Sequence, residues 1–75
     1  METQIVFHSL KDIERFTKEV TKFKSECDLS RGNFTVDAKS ALAVINCHLD
    51  EAYTLKFMSS DDAEVESFKR MLRTF

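Results

Sequence analysis

The chain has 75 residues, of which 43% are hydrophobic and 32% charged, and its formal net charge is −2. This length supports one hydrophobic core, so we expect a single domain over residues 1–75. One glycine and no proline exclude collagen-like and Pro/Gly-rich disordered chains. The slightly acidic charge argues against a nucleic-acid partner. No apolar run reaches the roughly 18–20 residues that span a bilayer, and the first residues lack a signal-peptide pattern, which predicts a cytoplasmic protein with no membrane partner.

The two cysteines do not predict a metal site or a disulfide. Cys27 and Cys47 lack the CxxC spacing of zinc sites, and Cys47 lies directly before His48, which is poor geometry for ligands of one metal. A reducing compartment also disfavours a disulfide. We therefore expect two small buried thiols, and no metal or other cofactor.

The first predicted elements are a strand and a helix. Residues 3–8 are rich in β-branched and aromatic side chains, which favours a strand. Ser9 has the position of a helix N-cap, with Asp12 three residues later as in a capping box. Apolar residues then recur at spacings of three and four, which predicts a helix of about four turns. Its apolar stripe consists of Leu10, Ile13, Phe16, Val20 and Phe23.

The middle of the chain predicts a hairpin and a short apolar segment. Residues 27–29 and 34–36 are strand candidates, and the only glycine, Gly32, lies in the turn between them. Residues 40–47 are almost wholly apolar. Their length does not distinguish a buried strand from a short helix, but the alanines and the serine at the start favour a helix of two turns.

The last predicted elements are a strand over residues 53–58, where apolar and polar residues alternate, and a helix capped by Asp61 with Glu64 three residues on. The helix has a stripe formed by Val65, Phe68, Leu72 and Phe75. The predicted order is therefore β-α-β-β-α-β-α. Because each strand has one apolar face, we predict an α+β fold with an antiparallel four-stranded sheet and helices on one face.

Residues 36–45, VDAKSALAVI, resemble the segment around the regulatory serine of HPr, the histidine-containing phosphocarrier of the bacterial sugar phosphotransferase system. Residues 16–23, which end in Thr-Lys-Phe, are similar to the first HPr helix. The resemblance covers nearly the whole chain, since the order and length of the elements match. It implies an HPr-like open-faced β-sandwich.

The resemblance is weakest before the first helix, where HPr carries Leu-His-Ala-Arg-Pro and its histidine accepts phosphate from enzyme I. Counting back from Phe23 places Ser9 at the acceptor position, one residue after His8. Lys11 falls near the phosphate-steadying arginine but lacks a bidentate fork. Asp12 takes the proline position and would repel a phosphoryl group. The chain thus looks like a short member of the HPr family without the standard active site.

Three residues are candidates to carry phosphate. His8 is a candidate acceptor because a histidine is partly neutral near pH 7, and the alternative is a surface histidine at a strand end. Ser9 is better explained as a helix cap, since no base is positioned to activate it. Ser40 is a candidate regulatory phosphosite, and the alternative is an ordinary N-cap serine. Lys39 and Lys11 are candidates to steady a phosphate.

The second helix is a candidate docking surface, because the resemblance implies that this helix binds protein partners. Ala41, Leu42 and Val44 are the docking candidates. A domain of this size also needs apolar residues for its core. In a two-turn helix we expect Leu42 and Ile45 to be buried and Ala41 or Val44 to be exposed.

The sequence favours a binding or regulatory member of the HPr family rather than an enzyme. It would dock a phosphotransferase-system enzyme or a transcriptional regulator through the face around Ser9 and Ser40, as a monomer or weak dimer. One alternative is an active phosphocarrier that uses His8. The other is a small α+β module that binds a ligand or oligomerises, since a ferredoxin-like fold with an added helix has the same element order.

Overall fold

Four strands and three helices follow one another in the predicted order β-α-β-β-α-β-α. The computed structural model describes all residues, Met1–Phe75. The elements are β1 (Glu2–Val6), α1 (Leu10–Val20), β2 (Cys27–Arg31), β3 (Phe34–Asp37), α2 (Ala41–Val44), β4 (Ala52–Phe57) and α3 (Asp62–Leu72). None of the three helices combines the length and the apolar character needed to cross a membrane.

The four strands form one antiparallel sheet in the order β1-β4-β2-β3. The last strand of the chain therefore lies in the centre, and β1 and β3 form the two edges. Strand side chains alternate between a buried and a solvent-facing side. The buried side carries Ile5, Cys27, Leu29, Tyr53, Leu55 and Phe57. The helices cover this side only, which confirms the predicted open-faced α+β architecture.

Aromatic contacts join the helices to the sheet. The rings of Phe57 on β4 and Phe68 on α3 stack at 4.0 Å. Phe23 meets both of these rings edge-on, at 5.7 Å and 5.2 Å. Phe7 and Phe16 form a further edge-to-face pair at 5.2 Å. Such pairs add roughly 0.5–1.5 kcal/mol each beyond the area they bury, so they matter in a chain with a small core.

The turn between β2 and β3 confirms the predicted hairpin. Arg31 pairs with Phe34, which leaves Gly32 and Asn33 as a two-residue loop. Gly32 has a φ of 59°, whereas Asn33 is not in the positive-φ region. A positive φ at the first central residue alone is the pattern of a type II′ turn, which glycine favours at that position.

Three predicted boundaries are wrong. β1 ends at Val6, so His8 lies in a loop rather than at the end of a strand. α1 ends at Val20, because the chain leaves the helix to bring Phe23 onto the Phe57 and Phe68 rings. α2 has four residues, a single turn rather than two, and the chain then turns so that the His48 N–H donates to the Tyr53 hydroxyl.

Candidate functional site

The loop between β1 and α1 is held by side chains at the start of the helix. Ser9 has extended backbone angles, and its Oγ accepts a hydrogen bond from the Asp12 N–H at 3.1 Å. The Asp12 carboxylate in turn accepts from the backbone N–H of His8 at 3.0 Å. Ser9 is therefore the N-cap of α1, as predicted, and the backbone of both candidate acceptor residues is fixed.

A second loop reaches this one from the segment before β4. The backbone N–H of Asp50 donates to the carbonyl of Phe7 at 2.7 Å. The Asp50 carboxylate lies 2.8 Å from Nδ1 of His8. Because a carboxylate only accepts, Nδ1 carries a hydrogen, and in the neutral form of the ring the lone pair of Nε2 is free. The His8 side chain is 66% exposed, so Nε2 is open to a reactant from solution.

Asp50 is the site residue that the sequence analysis missed. It has a φ of 64° and is the only non-glycine residue with positive φ. Aspartate is among the residues that tolerate the left-handed region, but this is a weak signal. Nothing in the sequence indicates that Asp50 meets His8, which lies 42 residues away.

Two acidic side chains hold the candidate acceptor. The carboxylates of Asp12 and Asp50 both bind His8. Arg15 is the cation that pairs with this loop, since its Nη2 is 3.9 Å from Asp12. Its guanidinium donates two hydrogen bonds to Thr74, at 2.8 Å and 2.9 Å, and lies over the Phe75 ring. The guanidinium of Arg15 is thus already bound by Thr74 and Phe75. The Asp12 and Asp50 carboxylates would repel an incoming phosphoryl group.

The two candidate phosphate-steadying lysines differ in their surroundings. Lys11 is exposed in the first turn of α1, next to the loop that holds His8. Lys39 donates from Nζ to the carbonyl of Phe23 at 2.6 Å, beyond the C-terminal end of α1. Since α1 has 11 residues, its two ends are roughly 16 Å apart. The structure therefore does not bring Lys39 to His8.

Ser40 occupies the N-cap position of α2, but its side chain makes no capping hydrogen bond. The Ser40 hydroxyl therefore does not make the hydrogen bond of an ordinary N-cap serine, which was the alternative to a phosphosite. The helix that follows has one turn. Its dipole would therefore stabilise a phosphate less than the dipole of the predicted two-turn helix. The function of Ser40 stays a prediction.

The predicted burial of Leu42 and Ile45 on α2 is wrong, whereas Ala41 is exposed as predicted. Leu42 is 85% exposed and Ile45 is 52% exposed, whereas Val44 is fully buried. Ala41 is also exposed. Val44 packs within the same core cluster as Ala38, because a single turn directs only one of its apolar side chains to the sheet. Val44 is therefore removed from the docking candidates, and Ala41 and Leu42 remain accessible.

Comparison with known proteins gives a structural match only. No protein-family model and no curated protein matches the chain. The solved structure of HPr-C-His from Thermoanaerobacter tengcongensis superposes with a TM-score of 0.73 at 16% identity, covering 99% of this chain and 92% of that one. The phosphocarrier protein HPr from Bacillus anthracis str. Ames superposes with a TM-score of 0.74 at 15% identity, covering 97% and 93%. The chain has an HPr-like fold.

The HPr-like fold joins the loop that carries His8 to the loop that carries Asp50, whereas Ser40 follows Lys39, which binds beyond the other end of α1. His8 and Ser9 precede α1, Ser40 precedes α2, and Asp50 precedes β4. α1 and α2 contact each other, and the Asp50–Phe7 hydrogen bond joins the loop before β4 to the start of α1. At this level of identity the similarity carries the fold and not the chemistry, so the function has to be argued from the residues themselves.

The cysteines of this HPr-like fold are not reactive groups. Cys27 and Cys47 are free thiols, and both are buried. Burial, together with the neighbouring charges of Asp28 and Asp37, raises the pKa of Cys27 to about 12. Burial also raises the pKa of Cys47. Because the thiolate is the nucleophile and the metal ligand, neither residue contributes chemistry to the site.

Proposed function

We propose that this chain is a protein-binding relative of HPr that acts on the phosphotransferase system without carrying phosphate. It docks a phosphotransferase-system enzyme through a surface that we call the docking face, formed by Leu10, Ala41, Leu42, Ile45 and Leu49. The observation that carries the proposal is the position of the exposed apolar side chains. Of the five large hydrophobic residues that are exposed, four belong to this face, and such patches are typical of interaction surfaces.

The docking face is held together by contacts between its segments. α1, which begins at Leu10, contacts α2, which carries Leu42. Leu49 directly precedes Asp50, whose N–H donates to the Phe7 carbonyl next to the start of α1. Burial of these side chains against an apolar partner surface would contribute a free energy of about 25 cal/mol for each Å² of apolar surface removed from water. Because the segments are already fixed in the free protein, little conformational entropy is lost on binding.

The surroundings of His8 favour binding over phosphate transfer. A phosphoryl group on this histidine would lie beside the Asp12 and Asp50 carboxylates, and like charges at such distances disfavour one another. Arg15, which has the geometry to bind phosphate in a bidentate manner, is engaged by Thr74. Ser9 uses its Oγ to cap α1.

An active phosphocarrier that uses His8 is the second candidate function. The hydrogen bond from Nδ1 to Asp50 favours it, because this bond fixes the tautomer and leaves the Nε2 lone pair as a nucleophile. In the transfer step Nε2 would form a bond to phosphorus while the bond between phosphorus and the donor breaks. The Nδ1 proton would stay between His8 and Asp50.

Intact mass after incubation with enzyme I and phosphoenolpyruvate separates the two functions. A standard HPr in the same tube shows that enzyme I is active. We expect the HPr to gain one phosphate and this chain to gain none. An acid-labile phosphate on this chain that is lost in a His8→Ala variant would overturn the proposed function in favour of the second candidate.

Docking is tested by competition. With a limiting amount of enzyme I, excess unphosphorylated chain should slow the phosphorylation of a standard HPr. Leu42→Ser should abolish the slowing, because it removes the most exposed apolar side chain of the docking face. Met58→Ser is the matched control, since Met58 is the one exposed large hydrophobic residue outside the face. No slowing by the unmodified chain, or equal loss in both variants, would contradict docking to enzyme I.

A further inference from the structure

The outer edge of β1 presents unpaired backbone groups. Met1 and Phe57 exchange backbone hydrogen bonds in both directions, at 3.0 Å and 2.9 Å. In an antiparallel pair, hydrogen-bonded residues alternate with residues that do not bond across the pair. The N–H and C=O groups of Glu2, Gln4 and Val6 therefore point away from β4. No strand covers them, because β1 is at the edge of the sheet.

A groove of about 650 Å³ runs along this edge. One wall is β1 itself, and the other is the C-terminal part of α3 with the residues that follow it, including Lys69, Leu72, Arg73 and Phe75. This volume lies within the roughly 300–1,000 Å³ of typical ligand sites. A cleft between an unpaired strand edge and a helix is the arrangement in which an extended peptide can add a strand to a sheet.

The β1 edge has few of the features that block strand addition. Proteins usually protect such edges with proline, lysine, a bulge or a covering loop. β1 contains no proline and no lysine, and it pairs with β4 residue for residue without a bulge. The opposite edge, β3, has four residues, and Phe34 is its only residue in a cavity, one of about 160 Å³. The edge of β1 is thus better suited than the edge of β3 to pair with a strand of a partner.

The charge of the groove indicates the chemistry of the partner. Lys69 and Arg73 line the α3 wall, and Glu2 is the only acidic residue of the lining. Arg73 is in no ion pair, and Lys69 lies 3.6 Å from Glu66 in an exposed pair that contributes little. Two cations are therefore available to a ligand, beside the apolar side chain of Leu72.

We propose that this groove binds an acidic peptide segment in extended conformation as a fifth strand on β1. The backbone of the peptide pairs with Glu2, Gln4 and Val6. The side chains of alternate peptide residues point to the α3 side of the sheet, where their carboxylates face Lys69 and Arg73 and their methylene groups pack on Leu72. This site is distinct from the docking face and does not depend on it.

The probe is a capped peptide of about six residues in which valine alternates with glutamate, since this length matches β1. NMR of the ¹⁵N-labelled protein should show saturable amide shifts and slower hydrogen exchange at Glu2, Gln4 and Val6. The amides of β3 should not change, which provides an internal control. Lys69→Glu combined with Arg73→Glu should weaken binding roughly tenfold. The double reversal at Lys18 and Lys24, outside the groove, should not.

A second peptide with lysine in place of glutamate tests the role of charge. It should bind the unmodified protein more weakly and the Lys69/Arg73 reversal variant more tightly. Equal binding of both peptides, or no shifts at β1 up to about millimolar peptide, would overturn the proposal. Shifts of the same amides with protein concentration alone would identify a second copy of the chain as the occupant, and would also overturn it.

Discussion

Asp50 binds His8 through its carboxylate, 2.8 Å from Nδ1, although its own backbone is in the left-handed region at a φ of 64°. This conformation costs an L-residue roughly 1–2 kcal/mol, and less for aspartate. The same residue also donates from its N–H to the Phe7 carbonyl. The loop before β4 is thus shaped so that one residue fixes both the backbone and the ring of the candidate acceptor loop.

Replacement of Asp50 should separate the backbone strain from the ion pair. Asp50→Ala keeps the strained φ and loses the carboxylate, whereas Asp50→Gly loses the carboxylate and relieves the strain. We therefore expect Asp50→Gly to be more stable than Asp50→Ala by about 1 kcal/mol in urea unfolding. Ser60 is the control, because it lies in a loop and its φ is not positive. At this position the Ser60→Gly variant should be less stable than the Ser60→Ala variant. The same order at both positions would contradict the left-handed φ of Asp50.

The two sides of α2 should respond differently to truncation. Val44 is fully buried, so Val44→Ala should lower the free energy of unfolding by about 1–3 kcal/mol. Leu42 is 85% exposed, so Leu42→Ala should change the free energy of unfolding by less than about 0.5 kcal/mol. Urea unfolding of both variants measures this. A larger loss for Leu42→Ala would show that Leu42 is buried, as the sequence analysis expected.

The sequence predicts the long amphipathic helices better than α2. α1 and α3 each have an apolar stripe opposite a charged face, so the pattern indicates which side is buried, and Phe16, Val20 and Phe68 are buried as expected. Residues 40–47 have no charged face, so periodicity cannot indicate which side meets the sheet. Leu10, at the first position of α1, is 57% exposed because the stripe begins before the helix reaches the core.

Contacts between distant segments are the other part that the sequence does not reveal. The cap residues Ser9 and Asp61 are predicted correctly, because capping is local. Glu64 follows Asp61 at the spacing of a capping box, yet its carboxylate accepts hydrogen bonds from the hydroxyls of Ser25 and Ser59, at 2.5 Å and 2.6 Å. Its partner Ser25 is 39 residues away, and no local pattern predicts such a bond.

Glu64 should make the stability of the protein depend on pH. Hydrogen bonds from Ser25 and Ser59, and from the backbone of residues 24 and 25, lower its pKa from 4.5 to about 2. A depressed pKa in the folded state contributes stability that is present above pH 4.5 and is lost as the pH falls towards 2. Glu64→Gln should therefore lower the melting temperature at neutral pH, and the difference from the unmodified protein should shrink in acid.

The control for Glu64 is Glu66→Gln on the same helix, since Glu66 makes only an exposed contact with Lys69. Its melting temperature should stay close to that of the unmodified protein across the same pH range. A Glu64→Gln difference that is constant between neutral pH and about pH 2 would mean that the hydrogen bonds do not favour the ionised carboxyl, contrary to the lowered pKa.

Cys27 should react with alkylating reagents only when the protein unfolds. The thiolate is the reactive form, and burial together with the charges of Asp28 and Asp37 raises the pKa of this thiol to about 12. In a Cys47→Ala variant, iodoacetamide at mildly alkaline pH should leave the native protein unmodified, as judged by intact mass, while the same protein in concentrated urea is alkylated completely. Raising the urea concentration through the unfolding transition should increase the rate in proportion to the unfolded fraction. Rapid alkylation while circular dichroism still shows the native signal would mean that β2 opens locally, because Cys27 lies in a strand paired with β4 and β3 beneath the helices.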